Sequence, residues 1–111
     1  MTVTLGIFSG RPDPEWTLTR EQAANLATAL AALPVGTGAP AVGGLGYRGF
    51  TIRQAGGTLV AYRGIVAPPG DGPRAVKVDA TRSVERYLLE TSRTHVTAAE
   101  HAEVERALAG P

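Results

Sequence analysis

Cysteine is absent from this chain of 111 residues. Its absence excludes disulfide bridges, thiolate metal sites and cysteine nucleophiles together. The sequence also lacks an apolar run long enough to span a bilayer, and residues 1–5 lack the basic start of a signal peptide. We therefore expect no signal peptide, no membrane association and a cytoplasmic location.

Positive charge is not concentrated anywhere along the chain. Lysine occurs once, at Lys77, and the other basic residues are scattered arginines. The 11 basic and 10 acidic residues give a net charge of +1 at pH 7. Nucleic-acid-binding proteins carry a concentrated basic patch, and we therefore predict no nucleic-acid partner. Alanine, glycine and proline are also abundant, a composition typical of a GC-rich genome, although the planar arginine fork suits carboxylate and phosphate ligands as well.

The length predicts a single domain over residues 1–111 that folds without disulfides or structural metals. Its first predicted element is a strand over residues 2–8. Val3, Leu5 and Ile7 alternate there with small, polar or aromatic residues, which indicates a strand with one buried face.

A helix is predicted next, over residues 19–33. Thr19 and Gln22 have the spacing of a capping box, in which each side chain satisfies a free backbone amide of the other residue. Pro34 ends the helix. The predicted buried stripe consists of Ala23, Leu26, Ala27, Leu30 and Leu33.

Residues 34–46 are rich in proline and glycine, and ordering many glycines is costly in backbone entropy. We predict a flexible connecting loop. The run Gly43-Gly44-Leu45-Gly46 lacks the spacing of a dinucleotide fingerprint, and no strand–loop–helix context surrounds it. We therefore expect no cofactor.

A β-hairpin is predicted over residues 47–54 and 58–67. Both segments are rich in aromatic and β-branched side chains, and Ala55-Gly56-Gly57 separates them. Residues 68–73 form a proline- and glycine-rich turn, and residues 75–78 are expected to add a short edge strand.

The register of this hairpin depends on its turn. A three-residue loop places Ile52 opposite Val60 and Phe50 opposite Tyr62. A two-residue Gly-Gly turn places Phe50 opposite Arg63 instead. We favour the first register because it pairs one aromatic ring with another.

Two further helices complete the predicted order β-α-β-β-(β)-α-α. One covers about residues 80–92 and opens at Asp79 or Thr81, and the other covers about residues 97–109 and opens with the capping box Thr97-Ala98-Ala99-Glu100. The inward-facing side chains are Val84, Tyr87, Leu88, His101, Val104 and Leu108. Strands and helices do not alternate as parallel crossovers require, so we predict an α+β fold. It would have a mainly antiparallel sheet of about three or four strands packed by three helices.

Few side chains could carry chemistry. Asp13 and Glu15 could divide acid and base roles if their environments separate their pKa values, and His95 is a third acid–base candidate. A structural account is simpler, because Asp13 can start a turn and His95 follows the end of a predicted helix. His101 and Glu105 are one helical turn apart, but a zinc or iron site needs more ligands. We predict no metal site and assign no catalytic residue.

Two loops, residues 9–16 and 43–49, hold the main candidates for binding. Arginine and aromatic side chains supply most interface hot spots, and we predict that the two loops converge on one end of the sheet as a recognition surface. The candidate binding residues are Arg11, Asp13, Trp16, Tyr47 and Arg48. The alternative is structural, with Trp16 covering the core at the start of the first helix and its indole N–H satisfied.

These two loops also carry a resemblance. Residues 8–16, with the sequence FSGRPDPEW, and the later run Gly46-Tyr47-Arg48-Gly49-Phe50 resemble a pattern in a family of small uncharacterised bacterial and fungal proteins. Those proteins carry Ser-Gly-Arg-Pro, then Asn or Asp, then Pro-x-Trp. The resemblance implies a recurring type of domain and implies no particular activity.

Three classes of function fit the sequence. We favour a non-catalytic binding or accessory module that recognises a protein partner, and a small homo-oligomer is one form such a module could take. The first alternative is a small enzyme or biosynthetic tailoring factor that uses one of the acid–base candidates. The second is a sensor that holds an anion or small ligand with Arg11 and either Arg48 or Arg53.

Overall fold

The computed structural model describes residues 1–7, 12–38, 46–69 and 74–109. The strands are β1 (Thr2–Leu5), β2 (Glu15–Thr17), β3 (Val35–Gly38), β4 (Phe50–Gln54), β5 (Gly57–Tyr62), β6 (Ile65–Ala67) and β7 (Arg74–Val78). The helices are α1 (Arg20–Ala32), α2 (Ser83–Thr91) and α3 (Ala98–Ala109). The α+β class and the three helices are confirmed. The predicted number of strands is wrong, because the described residues form a seven-stranded sheet.

The strands follow the order β2-β1-β4-β5-β6-β7-β3, and every pairing in the described residues is antiparallel. The register places one set of buried side chains on a single face: Val3, Leu5, Phe50, Ile52, Ala61 and Val66. The helices pack on this face and add Leu26, Val84, Leu88, Leu89, Val104 and Leu108 to the same cluster. One core therefore joins most of the sheet to all three helices.

Local capping signals explain why the sequence located two of the helices well. Thr19 accepts a hydrogen bond from the Gln22 amide, and the Gln22 side chain accepts one from the Thr19 amide. Thr97 and Glu100 make the same reciprocal pair at the start of α3.

No helix in the described residues is both long enough and apolar enough to cross a membrane.

The second predicted helix begins later than expected. Arg82 has a left-handed backbone with φ of 56°, so α2 starts at Ser83 rather than near residue 80. The Asp79 carboxylate reaches past this turn and accepts hydrogen bonds from the Ser83 hydroxyl and the Val84 amide. Asp79 therefore caps the helix from a distance that a fixed spacing rule does not anticipate.

Neither predicted register of the β4–β5 hairpin is correct. Phe50 pairs with Ala61 and Ile52 pairs with Leu59, because the two-residue turn is formed by residues 55–56. Phe50, Ile52 and Ala61 are fully buried in this register. Burial of three core side chains therefore outweighs the cross-strand aromatic pair that the prediction favoured.

The single strand predicted over residues 58–67 is two strands, β5 and β6. Arg63 and Gly64 between them have φ values of 51° and 78°, as a two-residue turn between twisted antiparallel strands requires. Strand β7 was expected at the edge of the sheet, but β3 pairs with it and is the outer strand.

Part of the predicted loop over residues 34–46 has regular structure. Val35–Gly38 form β3, whereas residues 39–45 lie outside the described residues. This strand forms because it pairs with β7, which is distant along the chain. The high glycine content suggested a loop and gave no sign of this distant partner.

Candidate recognition surface

The chain segments before β2 and before β4 meet at one end of the sheet. The Arg48 guanidinium lies 3.2 Å from both carboxylate oxygens of Asp13. Backbone hydrogen bonds reinforce the contact, because Gly6 donates to the Gly49 carbonyl at 2.9 Å and Arg48 donates to the Gly6 carbonyl at 2.7 Å. We call the described part of these segments, residues 12–16 and 46–49, the recognition surface.

Asp13 has two roles within this surface. One carboxylate oxygen accepts a hydrogen bond from the Ile7 amide at 3.1 Å, which turns the chain back toward β1. The same carboxylate holds Arg48, and the two side chains are 22% and 37% exposed. The ion pair is therefore partly open to solvent, while its orientation is set from within the loop.

Trp16 lies below the surface rather than on it. Its side chain is only 4% exposed, and its indole N–H donates to the Thr91 hydroxyl at 3.1 Å. The indole stacks on the His95 ring with centroids 5.6 Å apart and meets the Phe50 ring edge-on. Trp16 thus connects β2 to the end of α2, whereas the structural account from the sequence had placed it against the first helix.

Tyr47 is also directed inward. Its ring meets Phe50 and Tyr62 edge-on, with centroids 5.8 and 5.5 Å away, and its hydroxyl donates to the Glu85 carboxylate. Burial, followed by the charge of Glu85, raises the pKa of Tyr47 far above its ordinary value. Phe50 therefore contacts both aromatic candidates, Trp16 and Tyr47, and we call these three rings the base of the recognition surface.

Glu85 was not anticipated from the sequence. It is 1% exposed, and besides the Tyr47 hydroxyl it accepts hydrogen bonds from the Arg63 and Gly64 amides at 3.0 and 2.9 Å. A signal was available, because Glu85 precedes Leu88 and Leu89 by three and four residues and so shares the buried face of α2.

A second ion pair joins the recognition surface to β4. Arg53 on β4 contacts the Glu15 carboxylate at 3.0 Å, and the Thr4 hydroxyl donates to the same oxygen at 3.1 Å. Both charged side chains are more than half exposed. The predicted pair of carboxylates, Asp13 and Glu15, is thus divided between two different arginines.

The structure places four of the five predicted binding residues. Asp13 and Arg48 are in direct contact, and the rings of Trp16 and Tyr47 both contact Phe50. Arg11 lies outside the described residues, as do the remaining parts of the two predicted loops, residues 9–11 and 43–45.

The two histidines occupy different environments. The His95 ring is engaged in the stack on Trp16. His101 lines a cleft of about 470 Å³ together with Arg93 and Val96, and its Nδ1 atom is 3.8 Å from the Glu105 carboxylate. Within the described ranges, no group of three or more histidine, aspartate or glutamate side chains is arranged to hold a metal ion.

Comparisons with known proteins add no assignment. Family models, curated proteins and solved structures all return no match to this chain. The class that the fold defines is a small α+β domain with an antiparallel sheet.

Proposed function

We propose that this chain is a non-catalytic module that recognises a protein partner through the recognition surface around Asp13 and Arg48. The main support is their ion pair, which ties two loops together while 37% of the Arg48 side chain is exposed. A pair this exposed adds little stability. The ion pair instead holds the Arg48 guanidinium in one orientation at the surface. Arginine is enriched among the residues that contribute most of the binding energy at protein interfaces.

The base of the recognition surface supports this proposal because internal contacts hold its rings in place. Trp16 and Tyr47 both pack on Phe50, and the polar atom of each bonds to an internal partner, Thr91 or Glu85. A surface held in one conformation before binding loses less conformational entropy when a partner docks.

The charges of the region favour a protein partner. Asp13 and Glu15 alternate with Arg48 and Arg53, so both signs lie close together at this end of the sheet. A polyanion such as a nucleic acid would meet repulsion from the two carboxylates, whereas a protein surface of mixed charge can be complementary to such a pattern.

The two alternatives have less support from the described contacts. For an enzyme, Asp13 and Glu15 each contact an arginine and His95 stacks on an indole. None of the three lines the cleft at His101 or the cleft at Val35. For an anion sensor, Arg48 and Arg53 each already contact a carboxylate of the chain.

The test compares partner binding by two arginine variants. A partner captured by the wild-type chain is identified, and its affinity is measured by calorimetry for wild type, Arg48→Ala and Arg20→Ala. Arg20 is an exposed arginine at the start of α1, beyond the far end of β2, and serves as the matched control. We expect Arg48→Ala to weaken binding at least about tenfold, whereas Arg20→Ala binds as wild type does.

Two results would contradict the proposal. One is unchanged affinity for Arg48→Ala and Asp13→Asn, with both variants shown to be folded by circular dichroism. The other is a wild-type chain that captures no partner at native abundance.

A further inference from the structure

The outer edge of β3 carries backbone groups that point away from the sheet. The Val78 amide donates to the Pro34 carbonyl at 2.8 Å, so these two residues form a hydrogen-bonded pair. In an antiparallel ladder every second residue pair is of this kind, and the register of β3 and β7 then shows which residues bond to each other. By that alternation Gly36 and Gly38 bond to β7, whereas the amides and carbonyls of Val35 and Thr37 face outward. In the described part of the chain, no strand pairs with this edge.

The side chains at this edge do not protect it. Val35 is 69% exposed, and β3, with the sequence VGTG, contains neither charge nor proline. The opposite edge, β2, carries the exposed charge of Glu15. A charge within an edge strand is one of the devices that keep it from pairing with other chains, and β3 has none.

The same edge borders an apolar cleft on the helix-bearing face of the sheet. The residues that line it include Val35, Leu59, Val66, Pro68, Ala75 and Lys77. The exposed Val35 side chain thus extends the apolar wall of this cleft to the outer edge of β3.

We propose that a second copy of this chain pairs with β3, so that two sheets join through antiparallel β3 strands around a two-fold axis at Gly36. Val35 of each copy then lies opposite Thr37 of the other, and the two pairs exchange about four backbone hydrogen bonds. Glycine at the axis lets the two backbones approach, and Val35 of one copy is covered by the Thr37 methyl group of the other.

The second copy fits this edge better than an unrelated peptide because the edge is complementary to itself. Val35 and Thr37, whose backbone groups face outward, lie on either side of Gly36. A two-fold axis at Gly36 therefore places each outward amide of one copy opposite an outward carbonyl of the other. A net charge of +1 per chain makes repulsion between two copies small. The recognition surface lies at the β2–β1–β4 side of the sheet and stays accessible in such a dimer.

The test measures molecular mass by light scattering and sedimentation from about 1 to about 500 µM chain, because dimer formation follows mass action. The key variant is Thr37→Pro, which removes an outward-facing amide and leaves the bonds to β7 intact. Its matched control is Thr17→Pro on β2, because the bonds from Leu5 to Pro14 and from Leu18 to Met1 show that the Thr17 amide also faces outward. A third variant, Val35→Lys, places a charge at an exposed position beside the axis.

We expect a wild-type dimer that Thr17→Pro retains, whereas Thr37→Pro and Val35→Lys raise its dissociation constant about a hundredfold or more. Circular dichroism checks that each variant is folded, and Val35→Lys decides the outcome if Thr37→Pro is unfolded. Three results would overturn the proposal: a wild-type monomer across the whole range, a dimer unaffected by the β3 changes, or a dimer equally weakened by Thr17→Pro.

Discussion

Among single residues, Glu85 shows how one buried charge can organise several elements. Its carboxylate accepts from the Tyr47 hydroxyl and from the Arg63 and Gly64 amides. Burying a carboxylate is costly unless its oxygens are hydrogen-bonded, and here the donors come from the β5–β6 turn and from the segment before β4. Glu85 therefore holds α2 against two separate parts of the sheet.

The bond between Tyr47 and Glu85 predicts a specific pH dependence. Burial and the charge of Glu85 raise the pKa of Tyr47 in the folded chain above the unfolded value of about 10. Below about pH 10 both states keep the phenolic proton, and above it only the folded state does. This group therefore lowers the free energy of unfolding by up to about 1.4 kcal/mol per pH unit above that point.

The variant Tyr47→Phe tests this dependence. At neutral pH it should be less stable than wild type by about 1–3 kcal/mol, because a hydrogen bond to a buried charge is lost. The difference should narrow above about pH 10, since phenylalanine has no proton to release. Urea unfolding of both proteins from about pH 8 to about pH 11 measures it, and a difference that stays constant over that range would contradict the prediction.

At the scale of elements, Gly49 controls how β4 enters the sheet. Its φ is +91°, and a Cβ there would lie 2.6 Å from the Ala61 carbonyl oxygen and 2.7 Å from the Tyr62 Cβ. Because β5 backbone lies directly in the way, neither a rotamer change nor a small shift can make room. The glycine thus lets the segment that carries Tyr47 and Arg48 turn into β4.

We expect Gly49→Ala to lower the free energy of unfolding by about 2–4 kcal/mol, from the strained backbone and the close contact together. Gly56→Ala is the matched control, because a Cβ there meets no atom within 4 Å. That change should stay within about 0.5 kcal/mol of wild type. Urea unfolding of the two variants measures both values, and equal stabilities would show that Gly49 is not a constrained position.

The elements that the sequence predicted well are those with local signals. The capping boxes at Thr19 and Thr97 and the alternation of Val3 and Leu5 each involve residues close in the chain, and all are found as expected. The elements it missed depend on distant partners. Strand β3 exists through its pairing with β7, and β2 through its pairing with β1, and no local pattern encodes either.

The candidate site divides in the same way. Convergence of the two loops was predicted from their charged and aromatic content, and the contact between Asp13 and Arg48 brings their described parts together. The direction of each ring was not predictable from sequence, because it depends on partners such as Thr91 and Glu85 on a helix that is remote along the chain. Composition thus indicated which two segments meet, but it could not show which of their side chains are exposed and which are directed inward.

At the scale of the whole molecule, the two proposed interfaces lie at opposite sides of one sheet. The recognition surface belongs to the β2–β1–β4 side, and the proposed dimer contact is at β3, the last strand on the other side. If both proposals hold, a dimer presents two copies of the recognition surface facing away from each other. A partner with repeated sites would then bind with higher avidity than a single surface provides.

Trp16 offers a probe of whether the whole chain unfolds as one unit. It is the single tryptophan, and it contacts Phe50 on β4, Thr91 on α2 and His95 beyond that helix. Its side chain belongs to the buried cluster that joins the sheet to all three helices. Because the elements share this cluster, we expect them to unfold together.

The expected result is that urea unfolding followed by Trp16 fluorescence coincides with unfolding followed by far-UV circular dichroism, at one fixed chain concentration. Trp16→Phe should lower the midpoint of the dichroism curve, since it removes the bond to Thr91 and part of the stack on His95. A fluorescence transition that precedes the dichroism transition would instead mean that the corner holding Trp16 opens on its own. In that case the base of the recognition surface would not be held in one conformation before binding, and preorganisation would not support the proposed function.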